Sequence, residues 1–302
     1  MKNTDTGCKL CPRECNADRS GSSPKRMPIC KAPDKITAAR ASLHMWEEPC
    51  LSGERGSGTV FFSGCPLKCV FCQNREISHA ANGKCITRER LCDIFFELKD
   101  AGAHNINLVS PTPYIPDIAE AISLAKAHGL DLPVVFNSSG YESVSSLKML
   151  DGLIDVYLPD FKYMSPMLAK MYSLAKDYPE HAKAALGEMV RQCPLPEFDS
   201  DGMIKRGVIV RHLVLPGCTE DSKNIISYLR RQYGNSIYIS IMSQYTPMRD
   251  VKDFPELARK ITDEEYNNVV DFALDIGVTQ GFIQDGDAVG ESFIPVFDGR
   301  GI

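Results

Sequence analysis

From Gly58 onward, short β-branched runs alternate with amphipathic stretches of helical period, and the alternation repeats six times. No other feature of the chain restricts its fold so strongly. Strands separated by helices must run parallel, joined by right-handed crossovers. The pattern predicts strands at Thr59–Ser63, Asn105–Ser110, Pro133–Ser138, Asp155–Asp160, Gly207–Leu215 and Ser236–Ser243, with Gly281–Gln284 as a seventh candidate. Helices are predicted at Thr87–Ala101, Pro116–His128, Ser143–Leu153, Ser165–Gln192 (broken at Pro179), Thr219–Tyr233 and Thr262–Ile276. The strands are nearly continuously apolar, as expected when both faces are covered. Pro194–Arg206, with Asp201-Gly202, reads as a small hairpin before the fifth strand.

The polar residues choose between an open sheet and a barrel. Asn137, Ser138 and Ser139 follow the third strand, Asp160 and Lys162 end the fourth, and Arg211 and His212 sit late on the fifth. Ser243, Gln244 and Tyr245 end the sixth, and Gln284 and Asp285 follow the last. Polar groups at every C-terminal strand end mark a barrel mouth, whereas an open sheet gathers them at one switch point. The expected fold is therefore α/β, a partial (β/α)6 barrel over residues 58–302.

Residues 1–57 differ from this barrel. They are rich in Gly, Pro, Ser, Lys and Arg, with Gly21–Arg26 reading as loop, and have too little apolar periodicity to fold by burial alone. They also hold many of the chain's 12 cysteines: Cys8, Cys11, Cys15, Cys30 and Cys50 lie here, and Cys65, Cys69 and Cys72 follow closely. The net charge of −5 gives no global positive field for nucleic acid or an anionic membrane. No apolar run is long enough to span a bilayer, and the start MKNTDTGCK carries no signal-peptide apolar region, so the cytoplasm is the expected location. Reduced cytosolic cysteines at this density point to metal or redox chemistry rather than disulfides.

Cys65, Cys69 and Cys72 form a CxxxCxxC run directly after the first predicted strand. Three soft thiolates suit an iron–sulfur cluster or zinc. A closed structural zinc site wants four ligands, whereas a cubane cluster on three cysteines keeps one iron open. With the aromatic Phe71 before the third cysteine, the run resembles that of the radical S-adenosylmethionine (SAM) superfamily. Ala41–Asn74, Asp155–Tyr163, Gly207–Gly217 and Ser243–Pro247 are similar to uncharacterised proteins related to pyruvate formate-lyase activating enzyme. The resemblance implies a 4Fe-4S cluster on the three cysteines, SAM on its open iron with Phe71 beside it, and reductive cleavage of SAM to a 5′-deoxyadenosyl radical that abstracts hydrogen. It also implies an electron donor such as flavodoxin or ferredoxin, and allows either a small molecule or a protein or peptide as substrate, including activation of a glycyl-radical enzyme.

Carried over residue by residue, Lys162 would meet the SAM carboxylate or the substrate, and Asp160 a cation or a polar group of SAM. Two apart on a strand, they share one face; the plainer alternative is a surface ion pair. Arg211 and His212 point to opposite faces, and Arg211 is expected to be the inward one, near SAM, with His212 between barrel and helices. Lys162 and Arg211 are the candidate catalytic residues, and Asn137 and Ser138 are further candidates for SAM binding. Ser110-Pro111-Thr112 stands where many relatives carry a Gly-Gly-Glu type motif for the SAM amino group. Gln244, Tyr245, Gln284 and Asp285 are candidates to line the substrate region, with Tyr245 equally readable as an aromatic plug.

Cys8, Cys11, Cys15 and Cys30 supply four thiols, enough for a closed second metal site, either another 4Fe-4S cluster or zinc. Lys9, Arg13, Arg19, Lys25 and Arg26 would offset its negative charge. Cys50 is a spare ligand, and Cys85, Cys92, Cys193 and Cys218 read as small buried hydrophobes. The competing function class is a non-catalytic iron–sulfur or zinc sensor on a barrel scaffold.

Overall fold

In the computed structural model, which describes residues 7–19, 28–80, 82–248, 251–284 and 295–302, the strands are β1 (Thr37–His44), β2 (Ser57–Phe62), β3 (Lys84–Cys85), β4 (Ile106–Val109), β5 (Val134–Ser138), β6 (Val156–Pro159), β7 (Glu197–Phe198), β8 (Ile204–Leu213), β9 (Tyr238–Met242) and β10 (Gly281–Ile283). They form a ten-stranded sheet in the order β10-β9-β8-β6-β5-β4-β2-β1-β3, with β7 paired to β8. From β2 through β10 along that path all neighbours are parallel. Among the described residues β3 and β10 do not meet, so the barrel is partial and its sheet is not closed.

The helices are α1 (Pro49–Ser52), α2 (Arg75–Ser78), α3 (Arg88–Asp100), α4 (Ile115–Ala127), α5 (Val144–Leu147), α6 (Pro166–Ser173), α7 (Tyr178–Gln192), α8 (Thr219–Tyr233) and α9 (Asp263–Asp275). Thr87 and Thr262 cap α3 and α9 through their side chains, the latter in a full capping box with Glu265. The break expected at Pro179 falls instead at Leu174, which is left-handed (φ 52°), while Pro179 sits harmlessly in the first turn of α7. The helix expected over Ser143–Leu153 is only α5 plus a 3-10 turn at Lys148–Leu150. The hairpin before the fifth parallel strand is present, β7 pairing antiparallel with the start of β8. The loop read at Gly21–Arg26 lies outside the described residues.

Residues 37–57 depart most from expectation. Taken from sequence as part of a metal-binding extension, they place β1 antiparallel on β2 and α1 beneath the barrel. The Ala-rich β1 has little strand propensity of its own and is held by pairing. Its outer edge takes β3 at Thr37–Ala38 and then the C-terminal segment, where Gly299 N donates to the Ala39 carbonyl and Ala41 N to the Arg300 carbonyl.

Strand parity sorts the side chains into two layers. Outward-facing Val60, Leu108, Phe136, Tyr157 and Val210 pack under the helices in the main core. Inward-facing Val135, Val156, Leu158 and Ile209 meet Cys50 and Leu51 of α1 in a second, smaller core. At about 1.5–3 kcal/mol per buried aliphatic side chain, that second core fills the N-terminal half of the lumen with tightly held apolar matter. The next inward positions, nearer the C-terminal ends, are Asn137, Asp160 and Arg211. Thus the lumen turns from dry to polar within two residues along β5, β6 and β8, whereas on β4 the order is reversed, Asn107 lying level with Val135 and the apolar Val109 level with Asn137.

Candidate active site

The loop after β2 begins with Gly64 at φ +89°, where a Cβ would lie 2.8 Å from the Cys30 carbonyl oxygen. Only glycine lets the two backbones come so close. The loop is then tied to α2 and α6: Gly64 N donates to the Ile77 carbonyl at 2.8 Å, Lys68 N to that of Ser173 at 3.2 Å and Val70 N to that of Tyr172 at 2.9 Å. Cys65, Cys69 and Cys72 consequently line one cavity of about 250 Å³ at the C-terminal ends of the strands. Ser173 Oγ donates to Cys69 Sγ at 3.0 Å, and Cys72 Sγ lies 3.1 Å from Ser78 Oγ. Phe71 lines the cavity too and meets Tyr245 edge-on at 6.2 Å. Burial above all pushes the Cys65 and Cys69 thiols above their usual range; Cys69 and then Cys72 add to the rise of Cys65, and Cys72 adds to that of Cys69 against the pull of Lys162. Three soft donors on one cavity, two of them this reluctant to ionise alone, fit a cationic iron cluster, whose positive charge would stabilise the thiolates.

Across the cavity stands a row of buried charges. Lys162 Nζ donates to Asp160 Oδ2 at 2.7 Å, and Arg211 Nε and Nη2 donate to Asp160 Oδ1 at 3.1 and 3.0 Å. Arg211 also reaches Glu47 Oε2 (3.1 Å) and Asn137 Oδ1 (2.6 Å). Glu47 Oε1 accepts from Asn107 Nδ2 and Asn137 Nδ2 at 3.0 and 3.3 Å. Burial opposes the charge of each group, and at three of them the partners prevail: Lys162 and Arg211 hold the Asp160 carboxyl below its ordinary range, while Asp160 holds both cations above theirs; at Glu47 burial outweighs Arg211 and Asn107 and lifts the carboxyl. This network is therefore no surface pair. It is a buried set of two cations and two carboxylates that mutually fix one another.

Arg211 faces the lumen, and His212 faces away: its Nδ1 lies 2.8 Å from the Phe161 carbonyl oxygen and its Nε2 2.8 Å from Ser222 Oγ. Burial lowers His212 to about 4, so the ring is neutral at pH 7. Asn137 and Ser138 line the cavity, but both amide ends of Asn137 are engaged and the Ser138 hydroxyl donates to Glu142 at 3.1 Å. Gly140 (φ +71°) packs on the Asp160 carbonyl, where a Cβ would clash at 2.3 Å. Ser110 lines the cavity in a left-handed conformation (φ 58°), whereas Thr112 is buried behind it, donating to Glu142 at 2.8 Å. Gln244 lines the cavity; Tyr245 is the buried plug, donating to the Leu257 carbonyl at 2.6 Å. Gln284 accepts from Ser243 N at 3.1 Å, and Asp285 lies outside the described residues.

Three carboxylates here escaped the sequence reading. Glu47 is the counter-ion of Arg211. Glu48 is buried beside it and, among the described residues, its Oε2 has no hydrogen-bond partner. Glu142 is 1% exposed, and burial lifts it to about 7 against the pull of the Thr112 and Ser138 hydroxyls. The sequence signal was present for the first two, as adjacent acids in the otherwise apolar stretch before Pro49.

Cys8, Cys11, Cys15 and Cys30 line a second, smaller cavity, with Pro66 and Thr112 in its wall. Burial pushes Cys11 up to about 12, with Cys30, Cys8 and Cys15 adding to the rise, so the four thiols are mutual neighbours. Arg13 Nε donates to the Pro66 carbonyl at 3.0 Å and its guanidinium lies 5.4 Å over the Tyr141 ring; Arg19 Nη1 donates to the Pro113 carbonyl at 2.5 Å and stacks likewise over Tyr114. Lys9 is described but Lys25 and Arg26 are not. Among the described residues, no three His, Cys, Asp or Glu side chains gather closely enough to hold a single metal ion. Cys50, Cys92, Cys193 and Cys218 are buried, but Cys85, expected with them, is exposed on the edge strand β3.

No helix among the described residues is long and apolar enough to cross a membrane. An uncharacterized protein of Methanocaldococcus jannaschii is 29% identical over 285 residues, covering 90% of this chain and 75% of that protein. Among solved structures, the FeFe-hydrogenase maturase HydG of Carboxydothermus hydrogenoformans superposes with a TM-score of 0.53 at 16% identity, over 78% of this chain and 55% of that one. Streptococcus suis SuiB bound to S-adenosylmethionine gives 0.50 at 12% identity, over 74% and 49%. The chain thus spans about half the length of these solved structures, whose likeness shows the fold. Residues 59–229, more than half of the chain, match the radical SAM superfamily, and the chain belongs to that superfamily.

Proposed function

We propose that this protein cleaves SAM reductively at Cys65, Cys69 and Cys72 and uses the 5′-deoxyadenosyl radical to abstract hydrogen from a protein-borne substrate, with activation of a glycyl-radical enzyme as the leading case. The observation that carries the reading is the meeting of three buried thiols with the Asp160–Lys162–Arg211 row in one cavity. When bound on these thiols, a 4Fe-4S cluster supplies an open iron for SAM and the electron for its cleavage. The similarity of Ala41–Asn74 and Asp155–Tyr163 to relatives of pyruvate formate-lyase activating enzyme supports the activase reading. A flavodoxin or ferredoxin is the fitting donor, and the cytoplasm, where thiols stay reduced, the fitting location.

The chain's own residues divide the remaining work. Lys162 presents an ammonium to an anionic group entering the cavity, and Asp160 keeps it charged. Arg211 is the second fixed cation, its fork held by Glu47, Asp160 and Asn137, so Asn137 positions Arg211. Phe71, backed by Tyr245, forms an aromatic wall that excludes water. Ser138 joins the cavity wall to Glu142. In the second cavity, Cys8, Cys11, Cys15 and Cys30 would hold a further metal once drawn closer than they stand for a single ion.

Anaerobically reconstituted protein, given dithionite and SAM, is expected to release 5′-deoxyadenosine, with deuterium from the true substrate appearing in it. A fully loaded protein that releases none would leave the sensor reading in its place. In a variant lacking Cys65, Cys69 and Cys72, about four irons would identify the second centre as a cluster and one zinc as a structural staple.

A further inference from the structure

The two cysteine-lined cavities share a wall. The Cys30 carbonyl packs on Gly64, Pro66 lines the second cavity, and Leu67 lines the first. Arg13 spans the wall, donating to the Pro66 carbonyl and to the Ser173 carbonyl (3.3 Å), while Ser173 Oγ donates to Cys69. Within this wall sits Lys68. Its Nζ is out of reach of solvent and, among the described residues, has no hydrogen-bond partner. Desolvating an ammonium without a counter-charge is among the costliest arrangements a fold can adopt. The strongest side-chain charges acting on it are the thiols of Cys65 and Cys30, one from each set, and two more cations, Lys31 and Arg13. Three cations thus gather beside thiols of both sets.

We propose that Lys68 is a counter-charge shared by two anionic metal–thiolate centres, one on Cys65, Cys69 and Cys72 and one on Cys8, Cys11, Cys15 and Cys30. The inference rests on the reading of the first set as a cluster site and of the second as a metal site. Lys68 is a positioning charge: it stabilises electron density on both centres without ligating either. Lys68→Met removes the charge at similar length, and Lys68→Arg retains it.

Two measurements on the full chain test this. In a redox titration of the first centre followed by electron paramagnetic resonance, Lys68→Met should shift the ratio of oxidised to reduced centre about tenfold toward oxidised, which is about 59 mV for one electron, and Lys68→Arg should restore it. In a protein lacking Cys65, Cys69 and Cys72, where SAM chemistry plays no part, Lys68→Met should let a competing chelator strip the second metal at roughly tenfold lower concentration. Either quantity unmoved by Lys68→Met, or moved equally by Lys68→Arg, overturns the shared charge. Absence of deoxyadenosine from the unaltered loaded protein would instead refute the enzymatic reading and leave the second measurement standing. Should Lys68→Met fail to load metal, acetylation of the unaltered protein decides: Lys68 is expected to stay unlabelled until both metals are removed, and labelling with both in place overturns the proposal.

Discussion

The two cysteine sets lie against one wall yet are built by opposite means. The Cys65–Cys72 loop is presented by a barrel whose strands, helices and two apolar cores fold by burial, and its polar neighbours are fixed before any ligand arrives. The segment 7–33 has no strand or helix among its described residues; a few turns and the hydrogen bonds of Arg13 and Arg19 hold it. The lesson is that a metal at the first set would be added to an existing fold, whereas the one proposed at the second would be much of what orders its segment.

The sharpest way to break that contrast is at the first set. Cys65→Ala or Cys69→Ala should reduce deoxyadenosine release to background while the denaturant midpoint of the barrel stays where it was; a large loss of stability would mean that the barrel, too, depends on its metal. Next in size is Arg211→Ala, which leaves Glu47 buried without its counter-charge and Asp160 with Lys162 alone, and should cost about 3–5 kcal/mol in denaturant unfolding. If the cost is near zero, the charge row is not pre-built. Glu142 touches both regions, since Thr112 lines one cavity and Ser138 the other. Its carboxyl, ordinarily near 4.5, is raised to about 7, so its contribution is fully present below pH 4.5 and is lost as pH rises through about 7. The loss is on the order of 3 kcal/mol, and Glu142→Gln should flatten that slope in unfolding measured across the window. Smallest for the barrel is Cys11→Ser: it should open residues 7–33 to protease yet move barrel stability by only about 0.5 kcal/mol. A global loss would show that the segment and the barrel unfold together.

Much of the barrel was legible because strand parity and helix caps are local. Asp160 and Lys162 share the lumen face as alternation requires, and Thr87 and Thr262 cap where their positions said they would. Elements held by long-range pairing were not legible. β1 lacks strand propensity and exists because β2 offers it an edge. Glu47 and Glu142 come from turns whose direction is set by packing, so no periodicity aims them at Arg211 or at Thr112. The inward choice of Arg211 over His212 was readable only as a preference; the Phe161 carbonyl and Ser222, from other elements, explain why the imidazole can be satisfied outside. Leu174 rather than Pro179 breaks the long helix, because proline is at ease in a first turn and the left-handed residue is what redirects the chain.

The apolar plug of Cys50, Leu51 and their strand partners, capped by Glu47, makes the lumen a blind-ended vessel. Whatever reacts there cannot pass that plug at the N-terminal ends of the strands. A side chain or a chain terminus can dip in to the depth of Arg211, but nothing can thread through, so reach rather than overall size decides what this vessel admits.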